Sequence, residues 1–450
     1  MLNFIAACAL ALALAPAGVV RETLPNGLDV LVQERPGTAT VAVRVYVKTG
    51  SINEDPFLGA GISHLYEHLL AGGTTTTRGE KETAEILRAI GGEMNATTNY
   101  DVTSYFITTS GEHAGTAIEL LADWMRNNTL DPREVARETE VVQRELEKDD
   151  DEPASVLWRT HMETAYRRSL VRLPVIGYKA NIQRITRDDL VRFYRERYAP
   201  NNALLVIAGD VKAAPTLEKV RAAFGPWERR TLRANVLPEE PPQVAPRRAE
   251  KEMPIGVTLV KIGWPTVDLL DPDLYALDTL AFMLGQGDAA VLKRVLVDEK
   301  KLATAVRLSS WTPWFTKGQF MIDLEVPEAR NVEAAIEAAT SGIAATPALP
   351  PALARTALAE GLERAKKQKV AEYVFNTQKN ENIADTIAQD WIGTGDPFFS
   401  EGYVDRIQRV EVEDILRVAK RYLVPERVTV TIVGPPAAEK AAAAPVAPTA

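Results

Sequence analysis

The sequence predicts an α+β protein made of two homologous α/β sandwich-type domains in tandem. Three observations carry that expectation. Short alternating apolar segments, such as "LDVLVQER" and "VAVRVYVKTG", stand among amphipathic helical stretches. A segment of the first half, "RITRDDLVRFYRERYAPNNALLVIAGDV" (184–211), returns as "RVEVEDILRVAKRYLVPERVTVTIVGPP" (409–436). A stretch rich in Pro and charge, "VLPEEPPQVAPRRAEKE" (236–252), separates the halves.

The repeat keeps one register throughout. Arg184 maps onto Arg409 and Asp189 onto Asp414, both at an offset of 225 residues. Each copy reads as an amphipathic helix ending in Arg-Tyr, a Pro-containing turn and an apolar strand closed by Gly. A repeat of this length implies duplicated domains, not a solenoid. The expected organisation is a leader (1–20), a first domain (21–235), an extended linker (236–252) and a second domain (253–436). A low-complexity tail (437–450) follows and is expected to be disordered.

In the first domain the order of elements is legible. "LDVLVQER" and "VAVRVYVKTG" read as half-buried strands. Residues 58–71 and 80–90 read as helices, the second stopped by Gly91-Gly92. "EMNATTNYDVTSYFITTS" reads as a β-hairpin turning near Asn99–Asp101. Residues 112–128 and 132–149 are helical, the latter opened by Asp131 as cap and Pro132 at its first position.

Composition narrows the function. Of the residues, 46% are hydrophobic and 25% charged, as in soluble globular chains. The net charge is −9 and no Lys/Arg block occurs, which argues against nucleic acid as a partner. The N-terminal "MLNFIAACALALALAPAGVV" is too short and too Ala-rich for a transmembrane anchor. It reads as a signal peptide cleaved near Ala15-Pro16-Ala17, which places the protein in the periplasm or outside the cell. The only cysteine is Cys8, within that leader, so the mature chain has no thiol. Any metal must use His, Asp or Glu.

The chain has four histidines, and two of them fall in "GISHLYEHLLAGG". At about 100° per residue, His64, Glu67 and His68 share one helical stripe. Ala60, Gly61 and Ala71 lie on the same face and leave room above it. Histidines at i and i+4 can direct imidazole nitrogens to one point, which suits zinc. Glu67 stands beside that point, where a water would sit. The H-x-x-E-H order is that of inverzincins.

A catalytic zinc site needs a third protein ligand and an open fourth position. The helix over 132–149 offers one. Glu138 and Glu145 are seven residues apart and share a side with Val135, Val141 and Val142, while Arg137, Arg144 and Glu147 point elsewhere. Carboxylates at the centre of an apolar face are costly unless paired or metal-bound. His113 and His161 read as structural or solvent-exposed, and "GQGD" (285–288) as a loop lacking the lysine of a phosphate site.

With these residues assembled, the chain resembles the M16 metallopeptidase family, the group of pitrilysin, insulin-degrading enzyme and the mitochondrial processing peptidase. The family's distant glutamate follows the second histidine by seventy-seven positions, as Glu145 follows His68. "EVVQRELEKDDDEP", "GGEMNATTNYDVTSYF" and "YAPNNALLVIAGDV" extend the resemblance over Arg21 to about Pro435. The resemblance implies His64, His68 and Glu145 as ligands of one Zn2+ per chain and Glu67 as general base. It implies Glu138 as a support to the site. It also implies "EMNATT" as an edge strand pairing with a peptide substrate, Asn95 and Ala96 being nearest the bond to be cut.

Two departures qualify that picture. Aligning Gly285 with Gly72 places Leu277, Leu280 and Ala281 where the first half has His64, Glu67 and His68. The family's second domain is non-catalytic, so this is expected. Active single-chain and homodimeric members also carry an Arg and a Tyr in a second-half segment like "LREKLGLAY". Here "LVDEKKLATAV" (296–306) puts Val297 and Thr304 at those positions. The family's cavity lies between two such two-domain units facing each other like a clamshell, and this chain resembles one half. A homologous partner subunit supplying the Arg/Tyr pair, in a heterodimer, is therefore expected. A homodimeric peptidase and a metal-bearing peptide-binding protein are the alternatives.

Overall fold

The computed structural model describes residues 13–14, 18–285, 290–345 and 351–436. Most of the expected leader, most of the "GQGD" loop and the C-terminal tail fall outside these residues. Among the described residues, no helix is long and apolar enough to cross a membrane.

Two sheets organise the chain. The first contains β1 (Ala13–Leu14), β2 (Val19–Thr23), β3 (Asp29–Glu34), β4 (Thr40–Val47), β5 (Glu93–Thr98), β6 (Thr103–Ser110) and β7 (Ala203–Gly209). Their order is β1-β2-β3-β7-β4-β6-β5. The second contains β8 (Arg247–Glu252), β9 (Thr258–Pro265), β10 (Ala305–Trp311), β11 (Gln319–Val326) and β12 (Thr429–Gly434), in the order β10-β11-β9-β12-β8. The two share one pattern. Reading inward from β5 or from β10, three antiparallel pairings are followed by one parallel pairing, β7 with β3 or β12 with β8. The duplication seen in sequence is thus a duplication of topology.

The repeated segments show how like sequence gives like structure. Both helices, Arg187–Arg197 and Val412–Tyr422, start with a capping box, Thr186 with Asp189 and Glu411 with Asp414. In the first, Thr186 N and Asp189 N each find a side-chain acceptor, and in the second Glu411 N donates to Asp414 Oδ2 at 3.1 Å. Each helix then leads through a Pro-initiated turn into a wholly buried strand, β7 or β12. Runs such as "ALLVIAG" lack polar alternation because both faces of a central strand are covered.

Four helices stand where the first domain was expected to have them: α1 (Ile62–Leu70), which starts four residues later than 58 because Gly61 takes a left-handed φ, α2 (Glu80–Ala89), α3 (Ala114–Asn127) and α4 (Pro132–Asp151). Asp131 opens α4 as expected. Its side chain accepts from Arg133 N at 2.8 Å and its carbonyl from Val135 N at 2.9 Å. The hairpin β5–β6 turns over 99–102.

The chain divides into two compact units, one on each sheet. Two segments do not follow chain order. The helix α5 (Pro153–Ala165) belongs with the second sheet and packs on β8, β9 and β12. Thr377–Ala388 belongs with the first, where Asp385 accepts from Arg44 Nη1 at 2.5 Å and from Tyr46 Oη at 2.6 Å. The stretch 236–252 also differs from a plain linker, since its last six residues form β8, parallel to β12. As an edge strand exposed along most of its length, "RRAEKE" buries no regular face, so no apolar alternation marks it.

His161, on α5, is fully buried and structural. Its ring lies between Gln319 Oε1, 2.8 Å from Nε2, and Thr431 Oγ1, 3.1 Å from Nδ1. A side chain at Gly263 would come within 2.6 Å of Nε2, so glycine makes the ring's seat. Burial, with the nearby charge of Lys261, pushes the imidazole down to about 3, against the ordinary 6.5. The unfolded chain takes up this proton first as pH falls. The neutral ring therefore stabilises the fold above about pH 6.5, and that contribution is lost as pH falls towards 3. His161→Gln should flatten the dependence. The drop in urea midpoint from pH 7 to pH 4.5 is expected to be smaller in the variant, and an equal drop would contradict the assignment.

Candidate metal centre

α1 has two unlike sides. Ile62, Leu65, Tyr66, Leu69 and Leu70 are buried, and the helix rests against β5 and β6. Tyr66 anchors it: its hydroxyl donates to the Leu190 carbonyl at 2.5 Å, and its ring lies 4.9 Å from that of Tyr198. Tyr105 donates to the Tyr66 carbonyl at 3.1 Å and shares a hydrogen bond of 2.9 Å with Tyr198. With that side fixed, His64, Glu67 and His68 share the other, each half-buried. The two imidazoles stand nearly perpendicular, their centroids 4.9 Å apart.

Both ends of α1 are held from outside. Gly61 enters the helix at φ 67°, a left-handed conformation that favours glycine, and supplies no side-chain cap. The carboxyl oxygens of Glu54 accept from Gly61 N at 3.1 Å and from Ser63 N at 2.9 Å instead. At the other end Asn128 Nδ2 donates to the Leu69 carbonyl at 3.1 Å.

α4 presents Glu134, Glu138, Val142, Glu145 and Leu146 on its more buried side, Val142 and Leu146 fully so. Glu138 Oε2 lies 3.3 Å from His68 Nδ1. Its other oxygen accepts from Arg137 Nε at 2.8 Å, and Arg137 Nη1 reaches Glu80 at 3.1 Å. Arg137 was expected to point elsewhere; it turns back onto its neighbour and braces the carboxylate. Glu134, not singled out in the sequence, accepts from Thr74 N at 3.0 Å and ties the segment after α1 to the first turn of α4.

Glu145 follows Glu138 by two turns on one unbroken helix, so the contact at His68 also brings Glu145 to the histidines. His64, His68 and Glu145 each offer one ligand atom, and these three atoms lie within 4.8 Å of one another. Tetrahedral zinc with ligands at about 2.1 Å would hold them about 3.4 Å apart, a small contraction. Two imidazoles and one carboxylate are also a donor set used by catalytic zinc. Burial, helped by repulsion from His68, pushes His64 down to about 4, so it is neutral and fit to ligate at neutral pH. The residues present fit the metal.

The remaining expected positions lie as follows. Asn95 and Ala96 are on β5, the last strand of its sheet, which pairs only with β6 among the described residues. Ala96 N donates to Asn95 Oδ1 at 2.9 Å. Leu277, Leu280 and Ala281 are buried in the helix Leu274–Gly285 and carry no donor. Val297 packs against the second core, and Thr304 N donates to the Glu325 carbonyl at 2.8 Å. His113 stands just before α3 without capping it and is partly exposed, 3.6 Å from Glu112.

Known proteins resemble this chain in sequence and in fold. The family profile described as Insulinase (Peptidase family M16) matches residues 29–178, and that described as Peptidase M16 inactive domain matches residues 184–346. The zinc protease PqqE of Helicobacter pylori is 29% identical over 411 residues, covering 89% of each chain. The uncharacterized zinc protease YmxG of Bacillus subtilis is 26% identical, covering 64% of this chain and 69% of that one. A crystal structure of a protease from Helicobacter pylori superposes with a TM-score of 0.84 at 26% identity, covering 93% of this chain and all of the other. A Pseudomonas fluorescens structure titled peptidase M16 inactive domain shares the fold, with a TM-score of 0.80 at 15% identity over 93% of this chain and 98% of that one. The tandem of an insulinase-type domain and an inactive-type domain, on two sheets of one topology, makes this chain a member of peptidase family M16.

Proposed function

We propose that this chain is a zinc-dependent endopeptidase acting on peptides or unfolded protein segments. The observation that carries the reading is the convergence of His64, His68 and Glu145 beside Glu67. Zinc, when bound by those three residues, would supply Lewis acidity towards the peptide carbonyl and the attacking water. Glu67 lies on the stripe that carries both histidines. In this reading it takes the proton of the attacking water as the water oxygen bonds to the carbonyl carbon. It then delivers that proton to the leaving nitrogen as the C–N bond breaks. Glu138 orients His68 through Nδ1, so that Nε2 is the nitrogen that would meet the metal. β5 would pair with an extended substrate through its main chain, Asn95 and Ala96 lying nearest the bond cut.

The reading extends to a partner. Val297 and Thr304 cannot supply a charge or a phenol to a developing oxyanion. We infer that a homologous chain bearing an Arg and a Tyr completes the site in a heterodimer, and that the leader exports this subunit to the periplasm or medium.

Three outcomes test the reading. Glu67→Gln should keep its zinc and lose about 10²–10⁴-fold in turnover of a quenched-fluorescence peptide, whereas unchanged turnover would reject the base. Glu138→Ala should weaken zinc binding about 10–100-fold in competition with a chromogenic chelator. The purified chain alone should turn over slowly and gain activity on mixing with a homologue carrying the Arg/Tyr pair. Full activity of the chain alone would reject the partner.

A further inference from the structure

Glu54 is fully buried, and nothing in the chemistry above uses it. Burial pushes its carboxyl up to about 8, against the pull of the Ser63 and Gly61 N–H donors. An acid in such a place is a costly way to cap a helix. The usual side-chain cap is denied at position 61, where the left-handed φ of 67° favours glycine. The cap comes instead from a separate loop, and that loop has a second attachment. Ser51 N donates to the Asn99 carbonyl at 3.2 Å and Ile52 N to the Tyr100 carbonyl at 2.9 Å. Asn99 and Tyr100 form the turn between β5 and β6. The approach is close enough that a side chain at Gly50 would lie 2.2 Å from the Asn99 oxygen. Asn53 stiffens the loop, accepting from Gly50 N at 2.9 Å and donating its own N–H to the Gly50 carbonyl at 2.9 Å. One five-residue segment thus grips the turn of the edge hairpin with its backbone and the first turn of the histidine helix with Glu54.

We propose that Glu54 is a positioning residue. Its carboxyl group locks α1 to the β5–β6 hairpin and holds His64, Glu67 and His68 in register with the edge strand at Asn95 and Ala96. The proposal rests on reading those residues as a peptidase centre. It assigns Glu54 no contact with metal or substrate. Its effect passes through the first turn of α1, one residue before His64.

The test compares wild type with Glu54→Gln, which keeps length and one acceptor, and Glu54→Met, which keeps neither acceptor. Cobalt(II) substitution reports ligand geometry by its visible absorption. Both variants should bind cobalt with an altered band shape. Turnover should fall about 10–100-fold in Glu54→Gln and further in Glu54→Met, with KM changed less than kcat. Lower thermal stability with the wild-type cobalt spectrum and kcat would make Glu54 a plain helix cap and overturn the proposal. Should neither variant fold, amide exchange in wild type decides. The Gly61 and Ser63 amides should be protected, and exchange as fast as in an open loop would overturn the lock. Failure of wild type to bind cobalt at all would instead reject the peptidase reading, while the exchange result would still judge the lock.

Discussion

The approach of His68 Nδ1 to Glu138 Oε2, at 3.3 Å, is the contact on which the site depends. It joins the helix that carries His64 and His68 to the helix that carries Glu145. Partly buried carboxylates and imidazoles are expensive to gather, since each loses water and like charges repel. Partners on all sides offset that cost. Arg137 braces Glu138, and Glu80 braces Arg137. Glu134 holds Thr74, Asn128 holds the end of α1 and Glu54 its beginning. Below, the hydrogen-bonded rings of Tyr105 and Tyr198 support the Tyr66 backbone. The polar network is held by a rigid apolar base, which is the condition under which a buried network specifies one geometry.

The second domain shows what the same topology becomes without that chemistry. Its helix Leu274–Gly285 packs on β10 as α1 packs on β5 and β6. Where α1 has a polar stripe, this helix buries Leu274, Leu277, Leu280, Ala281 and Leu284 in one continuous core. Removing the donors removes the need for the surrounding braces. Sheet order and strand direction are kept because they are set by β-strand burial, which tolerates change at a single helix face.

How much was legible in the sequence follows from the range of each signal. The stripe of α1 and the spacing of Glu138 and Glu145 are local consequences of helical periodicity, and both appear as read. So do the hairpin, the Asp131-Pro132 start of α4 and the repeated helix–turn–strand. Arg137 was misread because its direction depends on a side-chain torsion that the helical wheel does not contain. β8 was hidden because an edge strand with charged side chains carries no apolar period. The placement of α5 on the second sheet, and of Thr377–Ala388 on the first, depends on contacts between residues far apart in the chain. Asn380 Nδ2 bonding to the Thr40 carbonyl at 2.9 Å is one such contact, and no spacing rule announces it. No sequence signal marks Glu54 in "SINEDPF", because its partners, Gly61 and Ser63, bond to it through backbone alone.

The edges of the two sheets differ in charge. An exposed strand edge invites pairing with another chain, and proteins usually blunt it with charge. β8 does so: five of the six residues in "RRAEKE" are charged, and Arg248 pairs across to Glu333. β5 does not. "EMNATT" has one charge, at Glu93, and pairs on one side only among the described residues. Its Ala96 N–H is engaged by the side chain of Asn95, a bond that a substrate carbonyl could replace at little cost because both acceptors are neutral. An edge with a single charge beside α1, in a chain that blunts β8 with five, is open to strand addition by a peptide in the proposed reading. In the reading proposed above, a peptide added to that edge would be presented to α1, the helix that carries His64, Glu67 and His68 and packs against β5.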